Sequence, residues 1–517
     1  MNNKESAKTV RTIGFMAVVI FCAKFMGLFR EVLIAGVYGQ GYASDILNTS
    51  TQIPLLFFDM TLGVAILSTF VPIFNSYLEK DGKDRAIAFA NSFMLTVIAI
   101  AAFFSAFGIL FAEPIVKIMV PGYDAAKIAE TARLLRVLFP SIIFTAAAYT
   151  SVGILQSFGE FNIPSIISVV SNLIMILYLV IFKNRFGLLG VVISMVIAWA
   201  SQLFVQIPHL SRFGYRLRLK LNFRDKGLIS AARLAVPILI SSWVQPLCVV
   251  INMAFGSSLG DGAVSGLNWA NKIYIIMVGV FAYAVTNFIF PKLSRLDAGG
   301  SELKFRQTTR LSVGWTLFII GYIAAMFISL SNPIIKLVFE RGEFTSDDTA
   351  LTAAALLYYS IGMMGYAVCE ILNKSFYAIQ DGKIPMLCSI IGVLTNFLSA
   401  FVFVKLFNME IRGLALASAV SSLVMAVVLI LMMNRRRANT FTIGFLINFI
   451  KIIVSSILAA AVAWLIYSKI QTLGQGPLSV LLQLFGSATP ALLVYILSSL
   501  ILRTDEIQQL RRFLHEK

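Results

Sequence analysis

The sequence predicts an all-α polytopic membrane protein, and three observations carry that prediction. The chain has 517 residues, 58% of them hydrophobic and only 13% charged, with a mean hydropathy of +0.86. A soluble chain of this length divides into several domains and carries far more charge. Many windows of about 20 residues are nearly charge-free, the length that crosses a bilayer core as a helix. The apolar runs are continuous rather than alternating, which argues against a membrane β-barrel.

Fourteen spans follow in order, at roughly 10–37, 45–78, 86–112, 130–156, 161–182, 186–210, 228–257, 262–291, 308–331, 350–377, 384–405, 412–434, 442–468 and 478–502. The second is long enough to tilt, kink or project beyond the bilayer, with Gly63 and Pro72 as bend points. The polar, basic start MNNKESAKTVR precedes an apolar run too long for a signal peptide, so that run is expected to stay as a helix. An even number of spans puts both termini on one side. Lys and Arg concentrate in loops on that side, above all Arg212 to Lys226, Lys292 to Arg310 and Arg435 to Arg437. The positive-inside rule makes it the cytoplasm.

That loop excess also explains the net charge of +17. No Arg-rich tail or aromatic–basic module points to nucleic acid. Cys22, Cys248, Cys369 and Cys388 all lie in apolar segments without a CxxC, so they read as small hydrophobes rather than disulfides or metal ligands. With His209 and His515 as the only histidines, a histidine metal site or proton relay is not expected.

The chain repeats itself. GVAILSTFVP (63–72) resembles YAVTNFIFP (283–291) near its end, LQSFGEFNIP (155–164) matches FYAIQDGKIP (376–385), and Gly122 matches Gly342. The offsets are 219, 221 and 220 residues. Each unit holds six spans, so the two halves share one orientation, a parallel repeat about an axis along the membrane normal. The expected divisions are a lobe at 1–220, a second at 221–437, and two added helices with a cytoplasmic tail at 438–517.

The candidate functional residues are charges inside apolar runs. An ionisable group near the bilayer centre costs about 2.5–3.5 kcal/mol on insertion scales and usually faces protein or water. Lys24, Arg30 and Glu31 lie in the first span. Glu31 shares the face of Lys24 but sits too far along a straight helix to pair with it. Arg30 either snorkels, pairs structurally with Glu31 or Asp45, or forms the anion-binding wall of a central cavity. Gly27 and the series Gly36, Gly39 and Gly41 permit close packing or a break. Asp45 is an N-cap or a cavity residue, and Asp59 follows an LLFF run inside the second span. Lys272, in the eighth span, is placed to face Lys24 and Arg30 across a cavity. Glu370 and Lys374 are spaced i,i+4 for a helix ion pair.

No Walker A, HExxH, nucleophile elbow or large catalytic loop is present, which excludes an ATPase engine within the chain and argues against an enzyme. No cofactor is expected. Active transport would draw on the membrane potential or a cation gradient, and Asn252, Asn373, Thr395 and Asn396 are candidates for a Na⁺ site.

Four stretches resemble the MurJ/MviN family of the MOP exporter superfamily: AKFMGLFREVLIAGVYGQGYASD, FVPIF, RGEFTSDD and SFYAIQDGKIP. The resemblance implies a flippase for lipid II, the undecaprenyl-pyrophosphate-linked peptidoglycan precursor, in the bacterial cytoplasmic membrane, with roles in cell-wall biogenesis and cell shape. It implies two six-helix lobes that alternate access to a cationic cavity, a final helix pair lining a groove for the lipid tail, and membrane lipids and cell-wall synthesis proteins as partners. Lys24, Arg30 and Lys272 fall on the family's substrate-binding cations, with Glu31 and Asp45 on its acidic positions. The sequence departs from the pattern at Phe58 and Asp59, where an Arg pair is common, and at Asn271, where an acid is common. Those departures leave a flippase of another undecaprenyl-linked oligosaccharide as the alternative. A multidrug/cation antiporter would call for an acidic cavity, a polyprenyl-phosphate enzyme for a carboxylate or histidine cluster, and a scaffold for no buried charge.

Overall fold

A computed structural model describes residues 3–183, 185–219, 222, 225–474 and 476–515. The chain forms two compact units, Met1–Gly262 and Ala263–Lys517. Among the described residues both are built from helices, as the long apolar runs require. Large apolar side chains such as Val18, Phe103, Ile181, Ile443 and Ile501 stand exposed on their surfaces. Lipid tails are as apolar as these side chains, so such a surface suits a bilayer.

The first unit contains α1 (Asn3–Tyr38), α2 (Tyr42–Phe58), a π-helical turn (Asp59–Gly63), α3 (Val64–Lys80), α4 (Lys83–Leu110), α5 (Ala112–Met119), α6 (Ala125–Leu138) and α7 (Ser141–Ser157). It continues through α8 (Asn162–Phe182), α9 (Gly187–Phe204), α10 (Ile207–Arg212), α11 (Lys226–Ser242) and α12 (Val244–Gly256). A stack of Phe70, Phe74, Phe89 and Phe93, with centroids 4.9 to 5.9 Å apart, cores its α3–α4 contact. The second unit contains α13 (Ala263–Ala298), α14 (Glu302–Ser329), α15 (Ser331–Phe339), α16 (Ser346–Ile361), α17 (Met363–Ala378) and α18 (Lys383–Phe401). After a π-helical turn (Val402–Leu406) come α19 (Glu410–Arg436), α20 (Ile443–Ile470), α21 (Pro477–Ile501) and α22 (Asp505–His515).

Ten helices among the described residues are long and apolar enough to cross a membrane, or eleven if α16 and α17, bent by 49°, form one span. They account for eleven of the fourteen expected spans. The other three, at 10–37, 228–257 and 262–291, are helical as α1, α11 with α12, and α13, but stand outside that tally. In the second span a π-turn ends on Gly63, while Pro72 lies inside continuous α3. Cys369 and Cys388 are buried, but Cys22 is exposed.

The repeat is visible in hydrogen bonds. After α7, Gly159 takes φ +81°, and Glu160 N–H donates to the Leu155 carbonyl at 2.9 Å. After α17, Gln380 takes φ +58°, and Asp381 N–H donates to the Phe376 carbonyl at 3.0 Å. Each acid then caps the next helix. Glu160 accepts from the amides of Asn162 and Ile163, and Asp381 from those of Lys383 and Ile384. This is a 6→1 helix stop followed by a carboxylate at a helix N-terminus. The paired glycines serve different needs. Gly342 has φ +62°, a conformation L side chains resist. A Cβ on Gly122 would lie 2.5 Å from the Ser257 backbone, so this glycine permits close approach of the segment after α12. Within the first matching pair, the side chains of Val64, Ala65, Leu67, Tyr283, Ala284, Asn287 and Phe288 lie outside those described.

The repeat boundary expected at 220/221 and the packing boundary at Gly262 differ. The α11–α12 segment packs on the first unit because polar groups fasten both its ends there. At its start the buried carboxylate of Asp225 caps α11, pairs with Arg85 at 2.8 Å and accepts from the Tyr77 hydroxyl at 3.1 Å. At its end Gly122 N–H donates to the Ser257 hydroxyl at 3.0 Å.

The two helices outside the repeat, α20 and α21, pack on α14 through small residues. Ala459, Ala463 and Ala491 are fully buried, and the Tyr495 hydroxyl donates to the Phe318 carbonyl at 2.7 Å. The α22 helix is hooked beneath them. Asn448 donates to both oxygens of buried Glu506 at 3.0 and 3.1 Å and accepts from Asp505 N–H. Lys451, a residue suited to reaching lipid headgroups, instead donates to the Arg503 carbonyl at 3.1 Å.

Gly122→Ala is expected to cost about 1–3 kcal/mol, the range for overpacking, read as a lower thermal midpoint of the purified protein. Burial raises the Glu506 pKa, and hydrogen bonding from Asn448 only partly opposes it. A raised folded pKa means the docking contribution is full below the usual glutamate range and is lost as pH rises through the folded value. Glu506→Gln removes that titration, so its gain in thermal midpoint over the parent should grow from acidic to neutral pH.

Candidate functional site

The first-span charges are held by α8. Arg30 donates through Nη2 to Glu31 Oε1 at 2.6 Å and through Nη1 to Asn172 Oδ1 at 3.1 Å. Asn172 in turn donates to the carbonyls of Ala23 at 3.3 Å and Ser168 at 2.9 Å, tying α8 to α1. Glu31 is buried, so Arg30 and its neighbour neutralise one another where a lone charge would be costly. Arg30 makes the pairing with Glu31 that its place in the sequence allows. A Cβ on Gly27 would sit 3.7 Å from the Asn172 amide, an ordinary contact. Lys24, two turns before Arg30, is exposed on the wall of a pocket. Asn172 was not singled out from sequence, although a polar amide inside the apolar 161–182 run is a visible signal.

Asp45 is not an N-cap. Gly41 holds the cap position of α2, and Asp45 is wholly buried one turn inside. Its Oδ2 accepts from Lys127 Nζ at 3.0 Å and from Gly262 N–H at 2.9 Å. Lys127 also pairs with Asp261 at 2.6 Å and lies over the Tyr123 ring at 4.2 Å. The Tyr123 hydroxyl is 3.0 Å from Thr49 Oγ1, and burial pushes its pKa up. This cluster fastens the end of the α11–α12 segment to α2 and α6. Lys127 and Asp261 escaped the sequence reading because both lie at span ends, where charge is unremarkable.

Asp59 opens the π-turn between α2 and α3, half-buried, with Phe58 buried beside it. A Cβ on Gly63 would lie 3.0 Å from Asp59 Oδ1, so the glycine makes room for the carboxylate. A π-turn inside an α-helical span frequently marks a functional site.

In the second unit Lys272 is half-buried on α13. Asn271, before it, bonds the Tyr359 hydroxyl. No ion pair closes between Glu370 and Lys374 among the described residues. Glu370 is hydrogen-bonded with Tyr366, and the Lys374 ammonium lies 5.9 Å over the Phe290 ring. The Na⁺ candidates divide, with Asn252 on α12 in the first unit and Asn373, Thr395 and Asn396 on α17 and α18 in the second. Among the described residues, the side-chain oxygens of Asn373 and Asn396 are buried without a hydrogen-bond donor. Among the described residues no three His, Cys, Asp or Glu side chains cluster as metal ligands.

Residues 34–485 match the family described as "Lipid II flippase MurJ". The chain belongs to this MurJ family. A probable lipid II flippase MurJ of Buchnera aphidicola subsp. Schizaphis graminum is 27% identical over 420 residues, covering 80% of each chain. A solved structure of lipid II flippase MurJ in an inward closed conformation superposes with a TM-score of 0.79 at 24% identity, covering 95% of this chain and 99% of the other. A multidrug resistance MATE family transporter of the MOP superfamily reaches 0.68 at 15% identity, covering 81% and 95%, which extends the shared fold beyond the MurJ family. The chain is thus a multi-pass membrane transporter of MurJ type rather than an enzyme.

Lys127→Met removes the ammonium that neutralises the buried Asp45 carboxylate, a loss of about 3–5 kcal/mol for a broken buried ion pair. The Asp261 side chain is 59% exposed, so Asp261→Asn should cost about 1 kcal/mol or less. Thermal unfolding checks both, and Asp45→Asn should recover part of the Lys127→Met loss.

Proposed function

We propose that this chain flips lipid II from the inner to the outer leaflet of the bacterial cytoplasmic membrane, with both termini in the cytoplasm. The observation that carries the reading is the family match across 34–485, joined to cations set in otherwise apolar helices at Lys24, Arg30 and Lys272. A pyrophosphate needs two or more cations or oriented donors, Arg giving a planar fork and Lys a point charge. Polar headgroups cross hydrocarbon only at great cost. A transporter that shelters the headgroup while the tail stays in lipid lowers that barrier, and alternating access of two lobes releases it on the far side. The helix pair α20 and α21 carries the lipid tail in this reading.

A cation gradient or the membrane potential drives the cycle. The donor-free oxygens of Asn373 and Asn396 support a bound cation. A second reading, a flippase of another undecaprenyl-linked oligosaccharide, is favoured by one observation: Phe58, standing where family members carry Arg, is buried and offers the headgroup no charge.

Arg30→Ala and Lys272→Ala should each abolish rescue of a bacterium depleted of its lipid II flippase while the variant proteins stay folded. Growth with both variants would overturn the role of these cations. Glu370→Gln should reduce rescue only mildly. Headgroup accessibility of lipid II on depletion and rescue distinguishes the two substrates: a well-expressed parent that fails to expose lipid II favours the other lipid-linked glycan.

A further inference from the structure

The first unit holds a pocket of about 430 Å³ between α1, the end of α7 and the start of α8. Lys24, Gln156, Ser165, Ser168 and Asn172 supply its polar wall, and Met16, Ile20 and Phe161 part of its apolar wall. Among the described residues no carboxylate lines it. Among the described residues, neither the Lys24 ammonium nor the Gln156 amide has a hydrogen-bond or ion-pair partner. Asn172 is fully engaged, with its oxygen on Arg30 and its amide on Ala23 and Ser168, so it forms a fixed floor.

We propose that this pocket is a loading subsite for the phosphoryl groups of a polyprenyl diphosphate lipid, with Gln156 and Ser168 as specificity-determining donors beside Lys24. The inference rests on the flippase reading and deepens it. A lone ammonium surrounded by neutral donors and no acid selects anions, and donors add geometry that a point charge lacks. The apolar wall suits the first isoprene units, which distinguishes a lipid from a free anion. By the charge bias of the loops, the turn joining α7 and α8 lies on the cytoplasmic side, the leaflet from which the substrate is taken. The polar set is not demanded by the fold. At the 221-residue offset, the second unit carries Tyr377, Met386 and Val393 in place of Gln156, Ser165 and Asn172. Only Ser168 keeps its type, as Ser389.

The test uses the full chain in nanodiscs and measures binding of undecaprenyl diphosphate, with phosphatidylglycerol and inorganic pyrophosphate as competitors. Gln156→Leu and the near-isosteric Gln156→Glu should weaken binding about tenfold or more, the size expected for a lost hydrogen bond to a charged group, with Glu the worse of the two. Ser168→Ala should weaken it several-fold. Unchanged binding in Gln156→Glu, the variant that preserves shape, overturns the subsite. Equal displacement by phosphatidylglycerol overturns it in favour of a general anionic-lipid site, and equal binding of inorganic pyrophosphate in favour of a free-anion site. Lipid II exposure in cells is read separately. Its loss in the parent sinks the flippase reading, whereas normal exposure with unaltered Gln156→Glu binding sinks only the subsite.

Discussion

A charge placed in hydrocarbon must be compensated inside the protein or kept beside water, and that constraint organises the first unit. Arg30 is answered by Glu31 and Asn172, Lys127 by Asp45 and Asp261, and the Asp225 carboxylate by Arg85 and Tyr77. Glu31, Asp45, Lys127 and Asp225 are buried, where an unpaired charge is far more costly than at a surface. Two lysines of the first unit show the contrast. Lys127 is spent on structure, buried between two carboxylates, while Lys24 faces a pocket lined by none among the described residues. Availability for an anionic headgroup follows from what surrounds each ammonium, not from its residue type.

The same polar fasteners decide where the α11–α12 segment belongs. Its place in the repeat aligns it with α1, the start of the other half. Its packing assigns it to the first unit, because Asp225 is held at one end and the Ser257–Gly262 stretch at the other. Gly122 serves that second attachment through its missing side chain, whereas its repeat partner Gly342 serves a left-handed turn. Duplication preserved the glycine while the physical reason for it diverged.

Much of the fold was legible because the bilayer leaves few choices. Backbone groups in hydrocarbon must bond within their own segment, so a long apolar run is a helix. The matching LQSFGEFNIP and FYAIQDGKIP stretches fold into the same stop and cap, since a left-handed residue and an acid at fixed spacing suffice to build it. Less of the candidate site was legible. Lys24, Arg30, Glu31 and Asp45 stood out as charges in apolar runs, but their partners Asn172 and Lys127 lie 142 and 82 residues away from Arg30 and Asp45. Spacing along one helix suggested a Glu370–Lys374 pair, yet among the described residues no direct ion pair closes, and Glu370 bonds Tyr366 while Lys374 lies over the Phe290 ring.

By itself the sequence determined the solvent, the helical class, the duplication and the family, because hydropathy, repeat offsets and local motifs are properties of contiguous residues. Only the tertiary structure decided which charges are spent and which are available. Compensation in a low dielectric acts over a few ångströms between side chains remote in the chain, and no pattern along one helix records it. Asp45 thereby became a structural anchor, Asp59 the opening of a π-turn, and Lys24 an ammonium with a pocket before it.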